Sequence, residues 1–190
     1  MNSRLIRAAL LCTAALGTAT AQAKVEVQAV QHKSIGRMLV AKVSEDIAPG
    51  DYEALLQGIK DNPGQYAQKV VLLDSIGGGV QEAIRMGRLL HETGFSTLVP
   101  STGVCQGSCV YLLAAGRART VRGYVGIHRP YYPGGDSARA ESAANGVRYN
   151  PAAYLQEMSI PSGLVAQMHS IDPQRMHVLS PEELARYRLN

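Results

Sequence analysis

The chain has 190 residues, a length that suits one domain, and 46% of them are hydrophobic, which is enough for a substantial core. Lysine and arginine total 19 against 15 aspartates and glutamates, so the formal net charge is +4. No run of charged residues is long enough to indicate a disordered tail. No basic stripe is interleaved with aromatic residues, so nucleic acid is not an expected partner.

The first 23 residues predict an export signal. Two arginines precede an apolar stretch, and the small residues of "AQA" stand directly before Lys24. The apolar stretch is too short for a stable membrane span, although a retained N-terminal anchor is the alternative. Cleavage before Lys24 removes two positive charges and no negative ones, which leaves +2, and it discards Cys12. The mature protein is expected to be periplasmic or secreted, with no stable membrane span.

Residues 24–36 are polar and are interpreted as an N-terminal extension, followed by a single domain over 37–190. The segment "RMLVAKVS" (37–44) predicts a strand, and "DYEALLQGIKD" predicts a helix that opens after a Pro-Gly pair. The continuous apolar run "KVVLLDS" (69–75) is typical of a buried parallel strand. A glycine turn then leads into the helix of "GGGVQEAIRMGRLLHETG", which ends at Gly94.

Short elements continue the alternation in the second half of the chain. The segment "FSTLVP" predicts a strand, "CVYLLAAG" a short buried helix, and "TVRGYVGIHRP" one or two short strands. Residues 132–150 are interpreted as an exposed loop. Three helical segments close the chain: "NPAAYLQEM", "PSGLVAQMHSI" and "SPEELARYRL". This alternation of strands and helices indicates an α/β fold with a mostly parallel sheet.

The mature chain keeps two cysteines, Cys105 and Cys109. An even number of cysteines in an exported protein favours a disulfide. Residues four apart on a helix have Cα atoms about 6 Å apart, which is within disulfide reach. Two buried thiols and half of a zinc site are the alternatives. Zinc needs two further ligands, and only His128 can be argued into the neighbourhood, so no metal and no cofactor are expected.

Three motifs in a fixed order resemble the proteolytic subunit of the Clp proteases. They are "DSIGGGV", "VCQGSCVYLLAAG" and "VGIHRP", within residues 37–130. The segment "VLSPEELARYRLN" is similar to the family's closing segment. The resemblance is greatest to the exported Clp-like proteins of the Clp protease/crotonase superfamily. It implies a repeated β-β-α superhelix with a mostly parallel sheet, a peptide or protein ligand, and self-association into a homo-oligomer.

The resemblance gives Gly77 and Gly78 an oxyanion-binding role, because glycine lets backbone N–H groups approach a substrate carbonyl closely. A tight turn that binds nothing is the alternative. The family's nucleophilic serine falls at Gly107, and Ser108 stands one residue late. On a helix this shift turns a side chain by about 100°. Ser108 is therefore either a displaced nucleophile or a helix-capping hydroxyl.

His128 matches the family's general base, since imidazole accepts a proton near neutral pH. A partly buried structural histidine is the alternative. The family's orienting aspartate falls at Met176, and a thioether cannot orient an imidazolium. Asp172 stands four residues earlier and reaches His128 only if that loop is rearranged. Glu182 and Glu183 are expected to face solvent.

Two functions stay open at this point. One is an exported serine peptidase or hydrolase that uses Ser108 and His128 in a degenerate site. The other is a non-catalytic Clp-like domain that binds a peptide or protein in the inherited groove. A crotonase-type acyl-thioester enzyme is a third reading, and it is disfavoured because coenzyme A substrates are not expected outside the cytoplasm.

Overall fold

The computed structural model describes residues 24–130 and 149–190. The predicted signal 1–23 and nearly all of the predicted loop 132–150 lie outside the described residues. The strands are β1 (Lys24–His32), β2 (Gly36–Ile47), β3 (Gln68–Gly78), β4 (Ser96–Val99), β5 (Val104–Gln106), β6 (Arg119–Val121), β7 (Tyr124–Ile127) and β8 (His177–Val178). The helices are α1 (Asp51–Asp61), α2 (Val80–Glu92), α3 (Cys109–Ala114), α4 (Pro151–Glu157), α5 (Gly163–Ser170) and α6 (Pro181–Arg186).

The eight strands of the described residues form one mixed sheet. The β1–β2 and β7–β8 pairs are antiparallel, and the other pairs are parallel. Helices connect most of the parallel strands, as the strand–helix alternation predicts. The α/β fold and the mostly parallel sheet are therefore confirmed.

The predicted N-terminal extension is a strand for most of its length. β1 pairs along all nine of its residues with β2. Val25 and Val27 are partly buried between exposed polar residues, which is the alternation of a strand with one packed face. A Cβ placed on Gly58 of α1 would lie 2.6 Å from Cγ2 of Val27, so helix and strand are in close contact there.

β3 is long enough to pair with two successive strands along one edge. Its first half, Val70–Leu72, pairs with β4, and Ser75 near its end pairs with Cys105 of β5. β6 extends the sheet from β4, and β7 extends it from β5. The carboxyl ends of β3, β5 and β7 therefore lie side by side. In open α/β sheets, ligands bind at this end of the strands.

Tyr154 ties α4 to the core helices. Its hydroxyl donates to the carbonyl oxygen of Tyr111 in α3 at 2.8 Å, and the two rings meet edge to face at 6.0 Å. A Cβ on Gly87 of α2 would lie 2.0 Å from the Tyr154 hydroxyl oxygen, so only glycine fits there. Burial raises the pKa of the Tyr154 hydroxyl. The segment after the loop is thus anchored on α2 and α3.

Glu183 is held inside a hydrogen-bond network, although we expected it to face solvent. It forms a capping box with Ser180: the Ser180 Oγ accepts from the Glu183 N–H, and Glu183 Oε2 accepts from the Ser180 N–H at 2.9 Å. Its carboxylate also accepts from the Gln167 amide at 2.7 Å and contacts His177 Nε2 at 2.9 Å. The Gln167 and Ser180 donors, with a smaller contribution from His177, lower the pKa of Glu183 to about 2. The Ser-x-x-Glu spacing is the sequence signal for this box.

Candidate functional site

Gly107 and His128 face one another across the ends of β5 and β7. A Cβ placed on Gly107 would lie 3.0 Å from His128 Nε2 and 3.7 Å from the carbonyl oxygen of Ile76. The Gly107 N–H donates to the Gly126 carbonyl at 3.0 Å, which fixes the turn against β7. With φ at +53°, Gly107 adopts a left-handed conformation that favours glycine. The position that the resemblance gives to the nucleophile is thus beside the predicted base and carries no side chain.

The His128 ring is oriented by the main chain of its neighbour. Its Nδ1 lies 2.8 Å from the Arg129 carbonyl oxygen. A carbonyl can only accept, so in the neutral ring Nδ1 carries the proton and Nε2 keeps a lone pair. That lone pair points toward Gly107. The ring therefore has the tautomer that a general base at Gly107 requires.

Ser108 does not reach this pair. The residue is only 6% exposed, and its Oγ makes no hydrogen bond to any residue that the structure describes. It occupies the N-cap position of α3, but its side chain makes no capping bond. The predicted capping hydroxyl is therefore not formed. Its Oγ makes no hydrogen bond to His128, and the alternative role of Ser108 as a nucleophile stays a prediction.

Gly77 packs against the Gly107 turn. A Cβ there would lie 2.7 Å from the Gln106 carbonyl oxygen and 3.0 Å from the Ser108 nitrogen. Its φ is +98°. The Gly77 N–H donates to the buried Ser75 Oγ at 3.2 Å, and this hydroxyl donates to the Glu45 carbonyl at 2.6 Å. One of the two predicted oxyanion donors is therefore already engaged.

Gly78 has a structural reason to be glycine. A Cβ on it would lie 2.2 Å from the Ile47 carbonyl oxygen at the end of β2. The next N–H, of Gly79, donates to the same Ile47 carbonyl at 2.8 Å. Close packing of β2 and β3 thus accounts for this residue without a ligand.

A disulfide joins the two ends of the turn that contains Gly107. Cys105 and Cys109 are bonded, with Cα atoms 5.2 Å apart, as their spacing predicts. Both residues are fully buried. The bridge closes a five-residue loop that contains Gly107 and Ser108. It consumes both thiols, so neither cysteine is available as a zinc ligand.

The position that the resemblance gives to an orienting aspartate is occupied by Met176. The β7–β8 register pairs Ile127 with His177, which carries Met176 to the position opposite His128. The Met176 sulfur lies over Gly126, where a Cβ would be only 2.5 Å away. Asp172 instead accepts the Gln174 N–H at 2.8 Å within its own turn. The Arg129 carbonyl, a main-chain atom that no side-chain pattern indicates, is the group that orients His128.

Several large apolar side chains are exposed around His128. Tyr124, Gly126 and His128 are two residues apart on or beside β7 and share one face of the sheet. The register places Gln106 and Val178 on either side of Gly126. Four of the apolar residues on this face are 41–64% exposed: Ile76, Tyr124, Met176 and Val178. We call them the apolar face; the sequence signal for it is the alternation of "YVGIH".

An open cavity of about 490 Å³ adjoins this face. It is lined by Ser170, Ile171, Asp172, Arg175, Met176 and His177. The Arg129 N–H donates to the Ile171 carbonyl at 3.4 Å, which links the cavity wall to the chain directly after His128. The apolar face and the cavity meet at Met176.

Searches of protein-family models and of curated proteins found no match to this chain. The resemblance to the Clp proteases therefore stays a prediction. Within the two described ranges, no helix is long and apolar enough to cross a membrane. In the same ranges, no group of three or more His, Cys, Asp or Glu side chains is placed to hold a metal ion.

Proposed function

We propose that the mature protein is an exported Clp-like domain that binds an extended polypeptide along the apolar face and forms no acyl-serine intermediate. One observation carries the proposal. The residue that faces His128 Nε2 is Gly107, while the hydroxyl of the next residue, Ser108, is buried and bonded to none of the described residues.

Turning Ser108 outward would dismantle the start of α3. The first backbone bonds of this helix run from the Val110 N–H to the Gly107 carbonyl and from the Tyr111 N–H to the Ser108 carbonyl. Gly77 is packed against the same turn, and the disulfide closes it. These contacts hold the backbone of Ser108 in its present place at the start of α3. The covalent serine mechanism is therefore the less favoured of the two predicted functions.

The sheet offers a polypeptide two kinds of contact. Along the described strand order, β8 is the last strand, and its outer edge is paired with no described strand. An extended chain can add to such an edge through main-chain hydrogen bonds. Its alternate side chains would then contact the apolar face, with Val178 and Tyr124 exposed on it. The expected ligand is thus an unfolded segment with apolar residues at alternating positions.

A serine-directed fluorophosphonate probe separates this function from a serine hydrolase. We expect the purified protein with its disulfide intact to acquire no label by intact mass. Labelling that disappears in Ser108→Ala would establish Ser108 as an accessible nucleophile and would refute the proposal. Trypsin in a parallel reaction shows that the probe is active.

Binding is measured by the fluorescence anisotropy of a labelled, permanently unfolded polypeptide such as reduced and carboxymethylated α-lactalbumin. Val178→Ser and Tyr124→Ser should each weaken binding about tenfold, because each removes a large apolar contact. Ile35→Ser is the matched control, since Ile35 is an exposed apolar residue away from the apolar face. Equal affinity in all three variants, or no binding by the wild type, would contradict the proposal.

A further inference from the structure

We propose that Met176 is a site of oxidative modification, at which a peroxide converts the thioether to a sulfoxide and thereby weakens polypeptide binding by the apolar face. The loss of binding rests on the proposed function, whereas the site of modification does not. Two observations carry the proposal. Met176 is exposed while the other described methionines are buried, and its sulfur lies over Gly126 of β7, within the apolar face.

The methionines of this chain differ widely in exposure. The sequence has six, and Met1 falls in the predicted signal, outside the described residues. Of the five that the structure describes, Met176 is 41% exposed. The other four are at most 9% exposed: Met38, Met86, Met158 and Met168. Because an oxidant must reach the sulfur, the fold favours oxidation at Met176.

An open cavity gives a small oxidant a path to Met176. This residue is part of the wall of the cavity of about 490 Å³ that adjoins the apolar face. A water molecule takes up about 30 Å³ of the liquid, and hydrogen peroxide is roughly twice as large, so the cavity can admit it. Access to Met176 therefore needs no opening of the core.

The reaction needs only hydrogen peroxide as co-reactant. The Met176 sulfur attacks one peroxide oxygen, so a sulfur–oxygen bond forms as the oxygen–oxygen bond breaks. The proton of the transferred oxygen moves to the leaving hydroxide. The sulfur is oxidised by two electrons, the peroxide is reduced to water, and the product is methionine sulfoxide.

The sulfoxide would lie in the middle of the apolar face. A Cβ on Gly126 would be 2.5 Å from the Met176 sulfur and 2.8 Å from its Cγ, so the thioether lies against this glycine. Gly126 stands between Tyr124 and His128 along the chain, and Val178 is its partner on β8. An apolar ligand side chain seated there would remove water from the sulfoxide oxygen, which is costly for a polar group. Oxidation should therefore lower the affinity for polypeptide.

The first measurement locates the modification and needs no ligand. The folded, disulfide-bonded protein is treated with hydrogen peroxide, and the oxidation of each methionine is followed by peptide mapping with mass spectrometry. We expect Met176 to be oxidised about tenfold faster than each buried methionine. In concentrated urea the rates should become similar, since the selectivity comes from the fold. A buried methionine oxidised as fast as Met176 in the folded protein would overturn the proposal.

The second measurement compares the affinity of each protein for labelled α-lactalbumin before and after oxidation, with the peroxide removed before the ligand is added. Oxidation should weaken binding by the wild type about tenfold. Met176→Leu should have the same affinity before and after treatment, because leucine has no sulfur. Met38→Leu is the matched control, since it removes the next most exposed methionine and keeps Met176. It should lose affinity on oxidation as the wild type does.

Met176→Gln imitates the polar product without any oxidant. It should bind the polypeptide about as weakly as the oxidised wild type. An unchanged affinity of the wild type once Met176 is oxidised would overturn the proposal, and so would an equal loss of affinity in oxidised Met176→Leu. No binding by the untreated wild type would instead refute the proposed function, while the peptide map would still decide the site of modification.

Discussion

His128 directly follows β7, His177 lies on the neighbouring strand β8, and the two rings are held in opposite ways. His177 Nε2 contacts the Glu183 carboxylate at 2.9 Å, and that carboxylate is fixed by Gln167 and Ser180. His128 is held through Nδ1 by a main-chain carbonyl, and its Nε2 is directed at Gly107. The histidine with the carboxylate partner has its Nε2 engaged in fixing α6 to β8. His128 has no carboxylate partner among the described residues, and its Nε2 is bonded to none of them.

The comparison shows that a carboxylate–imidazole pair does not by itself mark the reactive site. The network around Glu183 joins β8, α5 and α6 and is accounted for by their packing. The turn opposite His128 is fixed differently, by a disulfide and by tight contacts between backbone atoms. The two regions should therefore respond differently to substitution.

The largest effect is expected from removal of the disulfide that fixes the Gly107 turn. The double variant Cys105→Ala/Cys109→Ala should lose about 2 kcal/mol of unfolding free energy, because its unfolded chain is no longer closed into a five-residue loop. Urea unfolding at neutral pH measures the difference. Intact mass after alkylation without reductant should first show that the wild type gains no groups. Two added groups would contradict the bridge.

Glu183→Gln should be next, with a loss of about 1–2 kcal/mol of unfolding free energy, because a neutral amide replaces the charged acceptor of the hydrogen bonds from Gln167, Ser180 and His177. The native pKa of Glu183 is about 2, below its ordinary value of 4.5. The contribution of the ionised Glu183 carboxylate to the unfolding free energy is therefore present above pH 4.5 and is lost as the pH falls toward 2. Urea unfolding at pH 7 and at low pH measures the unfolding free energy of both proteins. The decrease from pH 7 to low pH should be smaller for the variant than for the wild type. Superimposable pH dependences would contradict it.

Gly107→Ser should lower the unfolding free energy by about 1–2 kcal/mol, since a residue with a side chain is strained at a φ of +53°. The new Cβ also lies 3.0 Å from Nε2, so the ring must shift slightly. Its hydroxyl then falls within reach of Nε2, and the variant should gain the fluorophosphonate label that the wild type lacks. The label should disappear in Gly107→Ser/His128→Gln. A variant that folds and stays unlabelled would show that His128 does not face residue 107.

The smallest loss of unfolding free energy, within about 0.5 kcal/mol, is expected from His128→Gln, because among the described residues the ring makes one hydrogen bond, to the adjacent residue. His177→Gln should cost about 1 kcal/mol, since it removes a hydrogen bond to a charged carboxylate. Thermal or urea unfolding of the two variants measures this directly. Equal losses of unfolding free energy in the two variants would contradict the claim that only His177 contributes to the packing of α6 on β8.

Much of the fold could be predicted from the sequence, and less of the site. The apolar periodicity predicts α1 with the bounds that it has, Asp51–Asp61. β1 was missed because its partly buried valines alternate with polar residues, so its composition resembles an extension. The motif order brings Gly107 and His128 together on one edge of the sheet. Two hydrogen bonds could not be predicted: the bond from His128 Nδ1 to the Arg129 carbonyl, and the bond from the Gly77 N–H to Ser75 Oγ. Both depend on where main-chain atoms lie in the folded protein.

The most direct test is the tautomer of each histidine, read from long-range ¹⁵N–¹H correlations at a pH where both rings are neutral. The structure predicts the proton on Nδ1 for His128, against the Arg129 carbonyl, and on Nε2 for His177, against the Glu183 carboxylate. Assignment uses the spectra of His128→Gln and His177→Gln. A proton on Nε2 of His128 would contradict the account, because the nitrogen that faces Gly107 would then be a donor with no lone pair to accept a proton.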